Sequence, residues 1–406
     1  MTASAPSTEL FSYEYYQNPH PILNWIRENS RVHEFRFPYG DIRTWIVTRF
    51  DDVHALLGDT RFSTNQVAWA NDEWQNSGML VGQGTPVERI ITMLDPPDHT
   101  RVRRLAMSTF TPRRIAQWHE PARQTVEAAL DRLAASDQPD VMDFAGAIPA
   151  EVMGRILGFP LARYEDMLHA MERAFHTDPE HPGESQRAFG EIADYGRELI
   201  TEKRRKPADD LTSALIHARD GEDRLTEDEL VAMLAVLIMA GLDTTRNLIA
   251  TSVLSLLERR EQWDLLRDRP ELTDSAVEEF LRFNGGVAVG FFRFAKQDLE
   301  FAGTHLPAGA PVVPGVAAAN RDPRRFVNPD DLDITRSGPR HVGFGQGLHN
   351  CFGAALARLE AGLAIPAIVR RFPHMQLAID PSEIKYDEMW LVRSITEFPV
   401  QLGRPA

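Results

Sequence analysis

No proline interrupts the chain from Leu225 to Arg269, and from Val231 to Leu242 it reads Val-Ala-Met-Leu-Ala-Val-Leu-Ile-Met-Ala-Gly-Leu, apolar on every helical face. A helix that is hydrophobic all round must be buried. Thr226-Glu227-Asp228-Glu229 just ahead of the run forms a capping box, which fixes the start. At about 1.5 Å per residue, a helix of some 30 residues crosses a whole domain. The rest of the chain must therefore wrap around it.

Directly after the run stand Gly241, Asp243, Thr244 and Thr245. A glycine in a helix interior costs about 1 kcal/mol against alanine, and an unpaired buried carboxylate costs several. One reading is local: Thr244 bonds the carbonyl four residues back and Asp243 pairs with an arginine. The other is functional.

The remaining patterns are mostly helical, with no repeat and no low-complexity linker. Length alone allows two or three domains of about 150 residues. The 43% hydrophobic content runs through the whole chain, so one large domain is expected, mainly α with a smaller β portion. Its span is 13–406, after a loose tail at 1–12. Extended segments are predicted at Val32–Phe37 with Thr44–Thr48, at Phe291–Phe301 and at Pro311–Val316. Phe301 to Asn320 carries no Asp, Glu, Lys or Arg, which is about the length of a membrane span. Pro307, Pro311 and Pro314 make it strand, turn and strand instead, so no membrane association is expected. A formal charge of −15 argues against a nucleic-acid backbone binder. The opening MTASAPSTEL has neither a basic cluster nor an apolar core, so a cytoplasmic protein is expected.

Cys351 is the only cysteine, which excludes an internal disulfide, a multi-thiolate zinc site and a four-thiolate iron–sulfur cluster. Three glycines, Gly343, Gly345 and Gly347, precede the sulfur, and Gly353 and strong helix formers follow. Glycines let backbone lie against something large and flat. A helix start favours the thiolate, as a nucleophile or an iron ligand. His349, two residues away, is a poor base for a nucleophile, which favours the ligand.

Phe344-x-x-Gly347-x-x-x-Cys351-x-Gly353 resembles the haem-binding signature of the cytochrome P450 monooxygenases. Ala240-Gly241-x-Asp243-Thr244 resembles that family's oxygen-activating motif, Glu279-Phe-Leu-Arg282 its Glu-x-x-Arg pair, and Asp95-Pro-Pro-Asp-His99-Thr-Arg-Val-Arg103 a haem-contacting helix of soluble bacterial members. The resemblance implies a P450 fold with haem between the central helix and the Cys-loop helix. It makes Cys351 the axial ligand of haem b. Phe344, Gly347 and Gly353 then support the sulfur, Ala240 borders the oxygen site, and His99, Arg103, Arg293 and His349 hold the propionates. Asp243 and Thr244 become the catalytic proton relay for O–O cleavage, which favours O2 and two electrons over peroxide. Glu279 and Arg282 are structural. Asp331 stands where the family's third partner is an arginine, so that network must close through a backbone carbonyl, a water or Arg336.

The resemblance also implies separate redox partners, ferredoxin and ferredoxin reductase, with electrons from NAD(P)H. A docking face would use Arg103, Arg104, Arg113, Arg114 and Arg358, unless these pair internally. The implied substrate is a hydrophobic specialised metabolite, of polyketide, terpenoid or peptide origin, that is hydroxylated or epoxidised. Oxidative coupling or ring formation is the alternative, and a non-catalytic haem sensor is the rival outside the class. Trp69, Trp74, Val289, Phe291, Phe292, Trp390 and Leu391 are the candidate substrate-pocket residues.

Overall fold

The computed structural model describes residues 9–160, 163–175 and 183–403. Its central helix runs Glu227–Leu257, and both bonds of the capping box are formed: Glu229 N–H donates to Thr226 Oγ1 at 3.3 Å and Thr226 N–H to Glu229 Oε2 at 2.9 Å. Leu230 through Met239 are all buried, as an all-round apolar helix requires. Helices Val141–Leu157, Glu184–Arg205, Thr273–Asn284 and Ala354–Arg371 pack directly against it. Ala240 is the first exposed residue after the run, although it lies inside the protein. That change marks where the helix meets a cavity.

Beside the helices lies a five-stranded sheet in the order Val32–Phe37, Ile42–Val47, Pro311–Pro314, Arg293–Ala295, Phe62–Ser63. The early hairpin forms with Val32 opposite Val47, and Trp45 pairs in parallel with Val312. The predicted strand Phe291–Phe301 is really two, Arg293–Ala295 and Leu299–Phe301, separated by the polar Lys296-Gln297-Asp298 turn. The charge-free segment is strand, turn and strand as expected, but its halves serve different sheets. Thr304–Leu306 pairs back on Leu299–Phe301, and Pro311–Pro314 joins the main sheet. Val316 starts a short helix rather than ending the strand. Among the described residues no helix is long and apolar enough to cross a membrane.

The tail needs partial correction. Residues 1–8 lie outside the described residues, but Phe11 is buried against Tyr15, Tyr16, Phe35 and Phe37, and Ser12 caps helix Tyr13–Gln17. An aromatic side chain of that size is held by its contacts.

Glu279 and Arg282 form a buried bidentate pair at 2.7 and 2.8 Å. The network closes through Arg336, whose Nε donates to both Glu279 oxygens at 3.1 and 3.0 Å. Asp331 contributes only its backbone carbonyl, which accepts from Arg282 and Arg336. Carbonyls of Asn320 and Pro329 complete Arg282. Removing one member of a buried ion pair strands the other. Arg282→Ala is therefore expected to cost about 3–5 kcal/mol, read as a lower urea midpoint.

Candidate active site

Helix Ala354–Arg371 starts just after the cysteine, with Gly353 as its N-cap. The preceding loop is pinned at several points. Cys351 N–H donates to Phe344 O at 2.8 Å, and Arg103 Nη2 donates to Asn350 O at 2.9 Å. Gly347 sits at φ +71°, and a Cβ there would lie 3.2 Å from Leu57 O, so the loop passes helix Phe50–Gly58 only with glycine at this position. The ring of Phe344 lies under the Arg358 guanidinium, and that of Phe352 packs edge-on to Phe110.

These elements close around a cavity of about 350 Å³. Cys351, Phe344 and Gly353 form one wall, and Ala240, Gly241, Asp243 and Thr244 of the central helix another. Burial pushes the Cys351 thiol up, opposed by the Gly353 N–H and by the charges of Arg103 and Arg358. The helix start expected to lower its pKa is thus outweighed by desolvation. A coordinated metal reverses that balance, because a coordinating thiol is deprotonated outright.

His99, Arg103, Arg293 and His349 all reach the same cavity. The rings of His99 and His349 are 4.5 Å apart, and His349 Nε2 lies 3.3 Å from Thr64 Oγ1. His99 is fully buried, with no hydrogen-bond partner at either ring nitrogen among the described residues. Arg293 is buried and, among the described residues, bonded only to the carbonyls of Phe291 and Phe292. Burial draws Arg293 down to about 10, and burial with the neighbouring Arg293, His99 and Arg103 takes His349 to about 2. A buried cluster of cations and unpartnered donors calls for anions. One sulfur facing a wide cavity, with such a cluster at its side, fits the iron and two propionates of haem.

On the central helix, Thr244 Oγ1 donates to Ala240 O at 2.5 Å and Asp243 pairs with Arg246 at 2.9 Å. Both halves of the local reading are present, yet both residues also line the cavity. The carbonyl bond accommodates the hydroxyl without removing it from the site.

The substrate-pocket expectations divide. Phe291, Trp390 and Leu391 line the cavity. Trp69 does not: it is 39% exposed, with the Lys296 ammonium 5.8 Å from its ring. Val289 is fully buried in a separate core that contains Trp74, Phe292 and Phe37. Trp74 and Phe292 pack edge-on at 4.5 Å and border a smaller recess whose wall shares Phe291 and Trp390 with the cavity. Aromatic character alone did not separate core from pocket.

The sequence reading gave no role to Met153, Met171 and Met233, to Arg246 or to Glu360, all of which line the cavity. Glu360 is buried with no partner at Oε2 among the described residues, and burial pushes its carboxyl up to about 8. The folded state therefore holds this proton more tightly than the unfolded state. Stability must fall as pH rises from about 4.5 to about 8. Glu360→Gln is expected to abolish that loss, gaining on the order of a few kcal/mol over wild type at pH 8 and nothing at pH 4. Urea midpoints across that range measure it.

The described residues hold no cluster of three or more His, Cys, Asp or Glu side chains able to bind a metal ion. Arg104 and Arg114 lie 4.0 and 3.8 Å from Asp223 and Asp209, and Arg358 makes a bidentate pair with Glu278. Internal pairing thus takes part of the expected docking charge.

Residues 9–398 match the family model described as Cytochrome P450. Polyketide biosynthesis cytochrome P450 PksS of Bacillus subtilis (strain 168) is 35% identical over 96% of this chain and 97% of its own length. Mycinamicin IV hydroxylase/epoxidase of Micromonospora griseorubida is 37% identical over 92% and 93%. The crystal structure of the myxobacterial cytochrome P450 CYP267B1 in complex with myristic acid superposes with a TM-score of 0.92 at 33% identity, covering 98% of this chain and all of that one. The chain belongs to the cytochrome P450 family. It is an oxidoreductase of the monooxygenase type, and the family's cofactor is haem iron.

Proposed function

We propose that the protein hydroxylates or epoxidises a hydrophobic specialised metabolite, of polyketide, terpenoid or peptide origin, with O2 and two electrons. The observation that carries this is the meeting, in one cavity, of a single sulfur, the Arg103 and Arg293 guanidinium groups and a carboxylate–hydroxyl pair on the central helix.

When bound, haem b supplies O2 activation and oxygen transfer to an unactivated bond. Cys351 holds the iron, and the Gly353 N–H moderates charge on the sulfur. Phe344 and Gly347 keep the loop in place. Arg103, Arg293, His99 and His349 bind the two propionates. Asp243 and Thr244 form the proton relay at the cavity wall: Thr244 Oγ1, turning from Ala240 O, passes its proton into the cavity and is reprotonated through the Asp243 carboxylate, which takes up a proton from solvent. Ala240 offers no bulk at this point.

The walls are mainly aliphatic and aromatic, from Val236, Leu237, Ile90, Phe291, Trp390 and Leu391, which exclude water and favour an apolar substrate. Methionines adapt to irregular shapes. The names of relatives, a polyketide-biosynthesis P450 and a hydroxylase/epoxidase, support the same class. Electrons come from NAD(P)H through a ferredoxin reductase and a ferredoxin that docks on the sulfur side, where Arg103 and Arg358 flank the loop. Cytoplasmic location suits those partners.

The test is turnover with ferredoxin, reductase and NADPH under isotopically labelled O2, on compounds chosen by a spin-state screen of hydrophobic metabolites. Product carrying one labelled oxygen is expected. Coupled or ring-closed product without label points to oxidative coupling, and binding without any turnover points to a sensor.

A further inference from the structure

The cavity wall formed by the segment 387–394 touches the central helix at the turn that carries Asp243. Two side-chain bridges make the junction. Arg246 Nη2 donates to Ser394 Oγ at 3.0 Å while the same guanidinium pairs with Asp243. One residue on, Asn247 Nδ2 donates to Asp243 O at 2.9 Å, and Asn247 Oδ1 accepts from Ile395 N–H at 3.3 Å. Ser394 and Asn247 are both buried.

Room has been made for this arrangement. A Cβ at Gly146 would lie 3.3 Å from Arg246 Cδ, and one at Gly286 would lie 3.2 Å from Asn247 Cβ. A surface ion pair three residues apart on a helix needs no such accommodation and is worth a few tenths of a kcal/mol. Here the arginine is anchored at its far end to a different element, so the carboxylate it holds is fixed relative to the substrate wall and not merely to its own helix.

We infer that Arg246 is a positioning residue for the oxidation: it fixes the Asp243 carboxylate beside Thr244 and, through Ser394, ties that orientation to the wall that contacts substrate. Trp390 and Leu391, four and three residues before Ser394 on the same segment, face the cavity. A substrate pressing on them is transmitted through the Ser394–Arg246 bond to the acid. This rests on the relay reading of Asp243 and Thr244. Groups that act through orientation lose much of their effect with small displacements.

The test uses the haem-loaded protein with ferredoxin, reductase and NADPH, first with no added substrate and then with myristic acid as an apolar probe. The readouts are the fraction of consumed O2 released as hydrogen peroxide and the solvent deuterium isotope effect on NADPH oxidation. Asp243→Asn serves as the reference. Arg246→Gln and Ser394→Ala are expected to shift both readouts in the same direction as Asp243→Asn, with peroxide release raised about fivefold, and Arg246→Lys to recover part of the loss. A purely structural arginine would change the thermal midpoint and leave the isotope effect at its wild-type value. That outcome for both Arg246→Gln and Ser394→Ala, with Asp243→Asn altered, overturns the positioning role alone. A silent Asp243→Asn overturns the relay reading and this inference with it. Should Arg246→Gln fail to retain haem, Ser394→Ala decides, since it removes only one buried hydroxyl.

Discussion

Thr244→Ala is expected to keep consuming oxygen and NADPH while forming about 10- to 100-fold less hydroxylated product, the difference leaving as hydrogen peroxide. The reasoning starts from the hydroxyl's position. Thr244 lines the cavity from the central helix, one residue from Asp243, and its hydroxyl bonds a carbonyl of its own helix. That bond adds little to the stability of an already capped helix of 31 residues. Losing it should leave folding and haem content unchanged. Proton delivery is what remains to be lost, and without it reduced oxygen departs before the O–O bond is cleaved. Oxygen uptake, peroxide and product measured on one sample separate the two fates. Product formation at the wild-type ratio would remove Thr244 from the relay.

Cys351→Ser is expected to reduce product formation to background, a larger effect than any other single change. Serine preserves size and the N–H bond to Phe344 O, so the loop between Gly347 and the helix start should persist. The Arg103 and Arg293 guanidinium groups and the His99 and His349 imidazoles are untouched and should still hold the propionates. Haem retained in such a variant without the thiolate spectral signature would locate the ligand unambiguously. A variant that oxidises normally would contradict the assignment.

The central helix and its cavity were legible because they rest on strong local signals, a capping box, an unbroken apolar run and the placing of Gly241, Asp243 and Thr244. The Cys-loop was legible for a related reason: glycines at Gly345 and Gly347 are demanded by left-handed backbone conformations that few other residues adopt. The pocket was harder to read. Trp74 and Phe291 carry the same aromatic character, and only tertiary packing sends one into the core with Phe292 and Phe294 and the other to the cavity wall. Arg336 was among the three closures expected for the Glu279 network, and the folded chain selects it together with the Asp331 carbonyl, from a segment 57 residues away. Glu360 was visible as a charge in a helix, but its burial and missing partner exist only in the folded chain. The split of Phe291–Phe301 into two strands falls at the polar Lys296-Gln297-Asp298 turn, and the two strands then pair with different partners, Phe62–Ser63 and Pro311–Pro314 for the first and Thr304–Leu306 for the second.

The most direct measurement is the absorption spectrum of the purified, haem-loaded protein after reduction and addition of carbon monoxide. A strongly red-shifted Soret band, lost in Cys351→Ser, is the result expected of thiolate ligation by Cys351. A band at the position typical of histidine-ligated haem, or an unchanged spectrum in Cys351→Ser, would contradict it.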